Sequence, residues 1–147
     1  MLFRSLFPDV AVLHVHEADC YGNCRLRGTT VADLPLARAA KRLIVSCERL
    51  ISNEEIRNDP SQTLIPYFCV DAVCEVPYGS YPGNMPYEYF SDEDHMREWL
   101  QVEEDYEQYL AFVRRLIFET ADFNGYLDRC GGRERLASLR QLELDPS

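Results

Sequence analysis

Residues 9–16 read DVAVLHVH, a stretch that is apolar almost throughout and rich in valine. A strand that faces water on one side alternates apolar and polar residues, whereas a strand covered on both faces of a parallel sheet has no need to. This segment and RLIVSCERL at 42–50 therefore read as strands of a parallel sheet. Parallel neighbours need a long crossover between them, usually a helix. The intervening sequence supplies one. DCYGN provides turn chemistry through Asp19, Gly22 and Asn23. Asp33 then stands as N-cap to LPLARAAKR, with Pro35 in the first turn and basic residues near the end. After the second strand, Ser52 and Glu55 form a capping box for NEEIRND, which Pro60 stops. TLIPYFCVDAVCEV is the third extended segment, with an irregular start at Pro66.

Strand, helix, strand, helix, strand is the grammar of an α/β fold: an open, mostly parallel sheet with flanking helices and right-handed crossovers. A helical C-terminal region follows. A loop, PYGSYPGNMPYEYF, leads to DEDHMREWLQVEE, capped by Ser91 with Asp94. A long helix is expected over residues 105–123, with Tyr109, Phe112, Val113, Leu116 and Ile117 as its core-facing stripe. CGG closes the next helical turn, and residues 133–142 form a last helix. The organisation is one partial domain over 1–147: a severed or non-native connection at 1–8, an α/β core at 9–90 and the helical region at 91–147. Two short crossover helices cannot cover both faces of so apolar a sheet. The domain is therefore read as incomplete, or as roofed by another chain.

The 147 residues are 46% hydrophobic, ordinary for a globular protein, and the longest apolar runs fall well short of the roughly 20 residues that span a bilayer. Net charge is -10, so the summed field repels phosphate backbones and anionic lipid. Neither nucleic acid nor membrane is an expected partner. The acidic residues between Glu88 and Glu107 read as a solvated helix face. Six cysteines without a signal sequence indicate a cytoplasmic protein with reduced thiols, in which Cys47, Cys69 and Cys74 serve as small hydrophobes.

HVHEADCYGNC at 14–24 puts His14 and His16 on one face of a strand, close to Cys20 and Cys24. Zinc sites place paired ligands on knuckles or along one helix face, and no second pair follows, so no metal is assigned. A Gly-x-Ser-x-Gly elbow is absent, and Gly-x-Gly-x-x-Gly does not follow the first strand. Cys20 and Cys24 lie beside Glu17 and Asp19, a negative neighbourhood that disfavours a thiolate. What remains is geometric. Ligands of parallel sheets bind outside the carboxyl ends of the strands, where EADCYGN, CERLIS and VPYGSYPGNMPYEYF emerge. Candidate ligand contacts are Tyr21, Gly22 and Asn23 in the first of these and Tyr78, Gly79 and Tyr81 in the last, with Tyr87 beyond them. Tyrosine offers a rigid apolar body with a polar tip, and Gly79 and Asn23 admit close backbone approach. Packing of the tyrosine-rich loop against a neighbouring chain is the alternative.

The turn Ala-Asp-x-Tyr-Gly-Asn, the helix Ala-Arg-Ala-Ala-Lys, the segment Ile-Arg-x-Asp-Pro and the run Val-Asp-Ala-Val-x-Glu-Val-Pro-Tyr-Gly occur in one order over residues 9–100. This collinear set resembles the C-terminal half of the A subunit of the family I CoA-transferases, the glutaconate CoA-transferase type. The resemblance implies a fold related to sugar-phosphate isomerases, coenzyme A as substrate with no tightly bound cofactor, and a hetero-oligomer with a CoA-transferase B subunit in which the active site lies at the subunit junction. In such enzymes a glutamate attacks an acyl-CoA thioester and carries CoA until a carboxylic acid accepts it. That glutamate belongs to the B subunit. Glu48 and Glu75 lie outside its motif, so no catalytic residue is assigned here. CoA phosphates call for cations, and Arg25 and Arg27 are the available ones near the rim. Two departures stand out: the Gly-Gly-Phe turn of the subunit's first half is absent, and SYPGN replaces Ala-His-Pro-Thr. Two alternatives stay open, a hydrolase that opens steroid-derived rings as CoA esters on the same frame, and a non-enzymatic assembly module.

Overall fold

A computed structural model describes residues 7–145, which divide into two compact units, the first ending at Gly79 and the second beginning at Ser80. The first unit is the α/β part. Its elements are β1 (Ala11–Ala18), β2 (Cys24–Arg25), α1 (Asp33–Ala39), β3 (Leu43–Leu50), α2 (Asn53–Asn58) and β4 (Ala72–Glu75), with 3-10 turns at Pro60–Gln62 and Tyr67–Cys69. The sheet order is β2-β1-β3-β4; β1, β3 and β4 are parallel and β2 is antiparallel to β1. This is the expected open, mostly parallel sheet with flanking helices. Of the segment 1–8, residues 1–6 lie outside the described residues; Pro8 is tied in, its carbonyl accepting from the Lys41 N–H at 3.0 Å.

The parallel register sets Ala11 opposite Leu43 and Val15 opposite Cys47. Because side chains alternate along a strand, odd-numbered positions of β1 and β3 share one face. Ala11, Val15, Leu43, Val45 and Cys47 are all buried there, with Ala37 of α1, Ile65 and Cys24 completing the core. The other face differs from expectation. Val12 and Ile44 remain 65% and 39% exposed, and further along the same face come His14, His16, Ser46 and Glu48. The apolar runs are thus covered by this unit on one side, and the second side is apolar at one end and polar at the other.

Several local expectations are corrected. The cap position of α1 is Ala32, with no side-chain hydrogen bond; Asp33 sits in the first turn, where its charge still favours the helix dipole. The third extended segment is broken, because a 3-10 turn follows Pro66 and β4 starts only at Ala72. Ile65 instead bridges Cys24, whose N–H donates to its carbonyl at 2.8 Å. Of the three thiols assigned to apolar packing, Cys47 is buried and half-buried Cys69 packs against the core, but Cys74 is exposed. The capping box of α2 is present as expected, Ser52 and Glu55 each bonding the other's backbone N–H.

The second unit holds α3 (Glu93–Val102), α4 (Tyr106–Val113), a π-helical turn (Arg114–Phe118), α5 (Phe123–Arg129) and α6 (Gly132–Leu144). The expected long helix over 105–123 does not run through. At Glu119 the N–H reaches back to Arg114 O at 3.0 Å, five residues away, and Asp122 then caps a new helix by accepting from Gly125 N–H at 2.9 Å. A π turn rotates the following residues relative to an α-helical stripe. Of the predicted stripe, Leu116 is buried as expected, whereas Ile117 inside the π turn is 59% exposed and Tyr109, upstream of it, is 39% exposed. Asp92, rather than Ser91, caps α3. The acidic stretch is not uniformly solvated either: Glu88 and Asp92 are buried and pair with Arg140 and Arg135 of α6.

Leu43, opposite Ala11 in the parallel register, is 1% exposed and belongs to the buried core. Leu43→Ala should cost about 2–5 kcal/mol in urea unfolding. Val12→Ser on the open face should change stability by less than about 0.5 kcal/mol.

Candidate functional site at the strand ends

The chain leaves β1 through Asp19, Cys20, Tyr21, Gly22 and Asn23. Asp19 is fully buried, and its carboxyl is surrounded by donors. Oδ1 accepts from the N–H groups of Tyr21 at 3.0 Å and Asn23 at 2.9 Å; Oδ2 accepts from the side-chain amides of Asn23 at 2.9 Å and Asn53 at 2.7 Å. Burial by itself would raise this carboxyl, but the four hydrogen bonds outweigh it and hold Asp19 below the ordinary aspartate range. Gly22 has φ of 99°, and a Cβ there would come within 2.9 Å of Val70 Cβ. Asn23 Oδ1 accepts from the Tyr67 N–H at 3.2 Å. Gly22 and Asn23 thus shape the turn, and Tyr21 projects from it, 65% exposed.

Beyond β4, the Gly79 N–H donates to Val76 O at 3.0 Å, closing a four-residue turn with Pro77 second and Tyr78 third. Tyr78 has φ of 62°. Proline followed by a positive φ is the pattern of a type II turn, whose third position normally belongs to glycine. An L-residue placed there costs roughly 1–2 kcal/mol. Glu48 stands behind the corner. Its Oε2 accepts from the Tyr78 N–H at 2.7 Å, its Oε1 pairs with His14 Nε2 at 2.7 Å, and His14 Nδ1 is hydrogen-bonded to Ser46 Oγ at 2.8 Å. Gly79 closes over this row so tightly that an added Cβ would lie 2.5 Å from His14 Cε1.

Tyr81 belongs to the second unit, where it is buried and donates its hydroxyl to Asp92 Oδ2 at 2.8 Å. Burial and the adjacent Asp92 push its phenol well above the usual range, while hydrogen bonds from Arg135 and Tyr81 overcome burial and hold Asp92 far below its own. Tyr81, His95, Phe112, Leu116, Phe123 and Tyr126 line a cavity of about 530 Å³. Burial pushes the His95 imidazole below its ordinary value.

The remaining candidates have other duties. Arg25 is drawn inward, donating to Glu55 O at 2.7 Å and Asp59 O at 3.2 Å and pairing with Glu17, which also meets Arg27 and Arg49. Burial pushes the Cys24 thiol up to about 12, so it carries no thiolate near neutral pH. His14 and His16 share a strand face but not a ligand shell: His16 Nδ1 accepts from the Arg27 N–H at 3.1 Å. Among the described residues no group of three or more His, Cys, Asp or Glu side chains is placed to hold a metal ion. The row Ser46, His14, Glu48 is the arrangement that reading the sequence missed. His-x-His and Ser-x-Glu are visible as strand patterns, and only the register that sets His14 opposite Ser46 joins them.

Residues 1–76 match the profile of the coenzyme A transferase family. The A subunit of glutaconate CoA-transferase from Acidaminococcus fermentans is 38% identical over 132 residues, and its crystal structure superposes with a TM-score of 0.86 over 90% of this chain. The chain belongs to the coenzyme A transferase family. An uncharacterised protein of Archaeoglobus fulgidus is 46% identical over 97% of the chain, and the A subunit of 3-oxoadipate CoA-transferase from Pseudomonas knackmussii is 32% identical over 83%. Measured on these relatives, this CoA-transferase family member spans 41% of the glutaconate enzyme's subunit, 32% of the A. fulgidus protein and 43% of the 3-oxoadipate enzyme's subunit. The resemblance read from the motifs is therefore correct at the level of family and subunit type.

Asp19 and Asp92 are both depressed in the folded state, so their stabilisation is complete above the unfolded aspartate value near pH 4 and is lost as the pH falls below it. Asp19→Asn and Asp92→Asn should each flatten the acid limb of stability, measured by urea unfolding between about pH 2 and 5.

Proposed function

We propose that this chain is part of the A subunit of a CoA-transferase that moves CoA between an acyl-CoA and a free carboxylic acid, with the nucleophilic glutamate on a partner B subunit. The observation that carries this reading is the joint sequence and structural likeness to the A subunit of glutaconate CoA-transferase, 38% identity with a TM-score of 0.86. The 3-oxoadipate relative, also named as the A subunit of a CoA-transferase, supports the same reaction class. CoA enters as substrate, and no tightly bound cofactor is part of the reading. The chain carries 25 acidic against 15 basic residues, so the cations that meet the CoA phosphates are assigned chiefly to the partner. The hetero-oligomer and its cytoplasmic location belong to the same proposal.

Within that frame the chain's own contribution is positional. Tyr21, Gly22 and Asn23, on a turn tied together by Asp19, and Tyr78 and Gly79, on a corner backed by Glu48, are assigned to the acyl-CoA pocket. Tyr81, in the second unit, is assigned to substrate contact separately. Transfer itself is covalent carboxylate chemistry: the glutamate displaces CoA thiolate from the thioester to give a mixed anhydride, the thiolate then attacks the glutamyl carbonyl and expels the first acid as its carboxylate, leaving an enzyme thioester, and the acceptor carboxylate takes up CoA by the same steps in reverse. Glu48 and Glu75 are unsuited to it. Both oxygens of Glu48 are engaged, and Glu75 Oε1 accepts from the Leu50 N–H at 2.8 Å.

Assembled with its B subunit, the protein should exchange labelled CoA between an acyl-CoA and an added acid; no exchange across a broad acid panel would refute the transferase reading. Ring hydrolysis would instead incorporate oxygen from labelled water with no acceptor acid present. Tyr21→Ala should raise KM for acyl-CoA by about tenfold, roughly 1.4 kcal/mol of lost binding, while leaving complex formation unchanged on gel filtration.

A further inference from the structure

The V-P-Y-G corner carries its tyrosine where a glycine would be easier to accommodate, and a strained backbone position is a pointer to function when the surrounding structure over-determines it. Here it does. The Tyr78 N–H is caught by a carboxylate only 7% exposed, that carboxylate is anchored by His14, and His14 is anchored by Ser46 across the β1–β3 register. The same turn recurs in the second unit: the Glu88 N–H donates to Met85 O at 2.9 Å, Pro86 and Tyr87 occupy the corner with Tyr87 φ at 66°, and the Tyr87 N–H donates to Glu143 at 2.7 Å. That bond is solvent-exposed, however, whereas the one beneath Tyr78 is part-buried and backed by His14 and Ser46.

We infer that Glu48 is a positioning residue: through the His14–Ser46 row it fixes the Tyr78 backbone in the left-handed corner and so sets the direction of the Tyr78 ring, which contacts the acyl-CoA. The ligand part of this inference rests on the transferase reading; the positioning part does not. With glycine at position 78 the corner would form without help, so the value of Glu48 to the fold should depend on which residue stands there.

A double-mutant cycle tests this on the full chain. Glu48→Ala should lower the thermal midpoint by at least about 4 °C more with Tyr78 present than in the Tyr78→Gly background. Equal shifts in both backgrounds would overturn the positioning role. If Glu48→Ala fails to fold in both, His14→Ala, which takes away the anchor on Glu48 Oε1, replaces it in the cycle and must show coupling of the same sign. In the assembled enzyme, Glu48→Ala and Tyr78→Gly should each raise KM for acyl-CoA about tenfold with kcat within about twofold, and Glu48→Gln should restore most of the loss. Glu143→Ala should leave both constants unchanged. Active enzyme whose KM ignores both substitutions would overturn the recognition role while the transferase reading stands. If the wild-type assembly exchanges no CoA, the transferase reading falls, and calorimetry with acetyl-CoA decides the rest. Binding weakened about tenfold by Tyr78→Gly sustains the inference; unchanged or absent binding refutes it.

Discussion

Parallel pairing of β1 with β3, with Ala11 opposite Leu43, is the constraint on which the first unit depends. The pairing requires a crossover, which α1 provides, and it sorts the apolar runs into two faces. One face receives Val15, Val45 and Cys47 and becomes core. The other receives His14, Ser46 and Glu48 in adjoining positions. A slip of one residue would exchange these faces, burying the polar row under α1 and exposing the valines. Burial of the odd face therefore fixes the polar constellation on the even face as firmly as it fixes the core.

Carboxylates buried in this protein organise backbone. Asp19 gathers the N–H groups of the turn after β1, Glu48 catches that of Tyr78, and Asp92 combines the cap of α3 with Arg135 and Tyr81. Each is desolvated, and each is compensated by several donors, the condition under which a buried charge is tolerated. A net charge of -10 thus coexists with acids held inside the fold. It also separates roles: a carboxyl whose oxygens are already engaged is a poor nucleophile, so Asp19, Glu48 and Asp92 organise backbone rather than attack a substrate.

Much of the fold was legible because it rests on local rules. Valine-rich runs gave the parallel strands, and Ser52 with Glu55 gave the cap of α2. The collinear turn and helix motifs gave the family. Apart from one-residue shifts of the caps of α1 and α3, the failures depended on a partner distant in sequence or on a local change of backbone that leaves no periodic trace. The break near Arg114 follows from a π turn that leaves the helical periodicity of the sequence intact up to the point where it rotates the stripe. Glu88 and Asp92 have the look of a solvated acidic face until α6 brings arginines to them. His14 resembles half of a metal pair because strand alternation puts it on the face of His16, and the register that gives it Ser46 and Glu48 cannot be read from either strand alone.

The two Pro-Tyr corners give the last step. In each, proline presets the second position of the turn, the third takes a positive φ, and a glutamate accepts the tyrosine N–H. Turn chemistry alone would put glycine or asparagine third, so turn formation does not explain the tyrosines. A glycine corner would bend the chain equally well and leave no aromatic surface. A tyrosine in a flexible loop would offer the surface and lose rotamer freedom on binding. A tyrosine on a strained but anchored corner has its backbone ordered during folding, with Glu48 and its neighbours holding it there. Under the proposed transferase reading, that transfer of ordering from the binding step to the folded state is the gain the Tyr78 corner would bring to acyl-CoA binding.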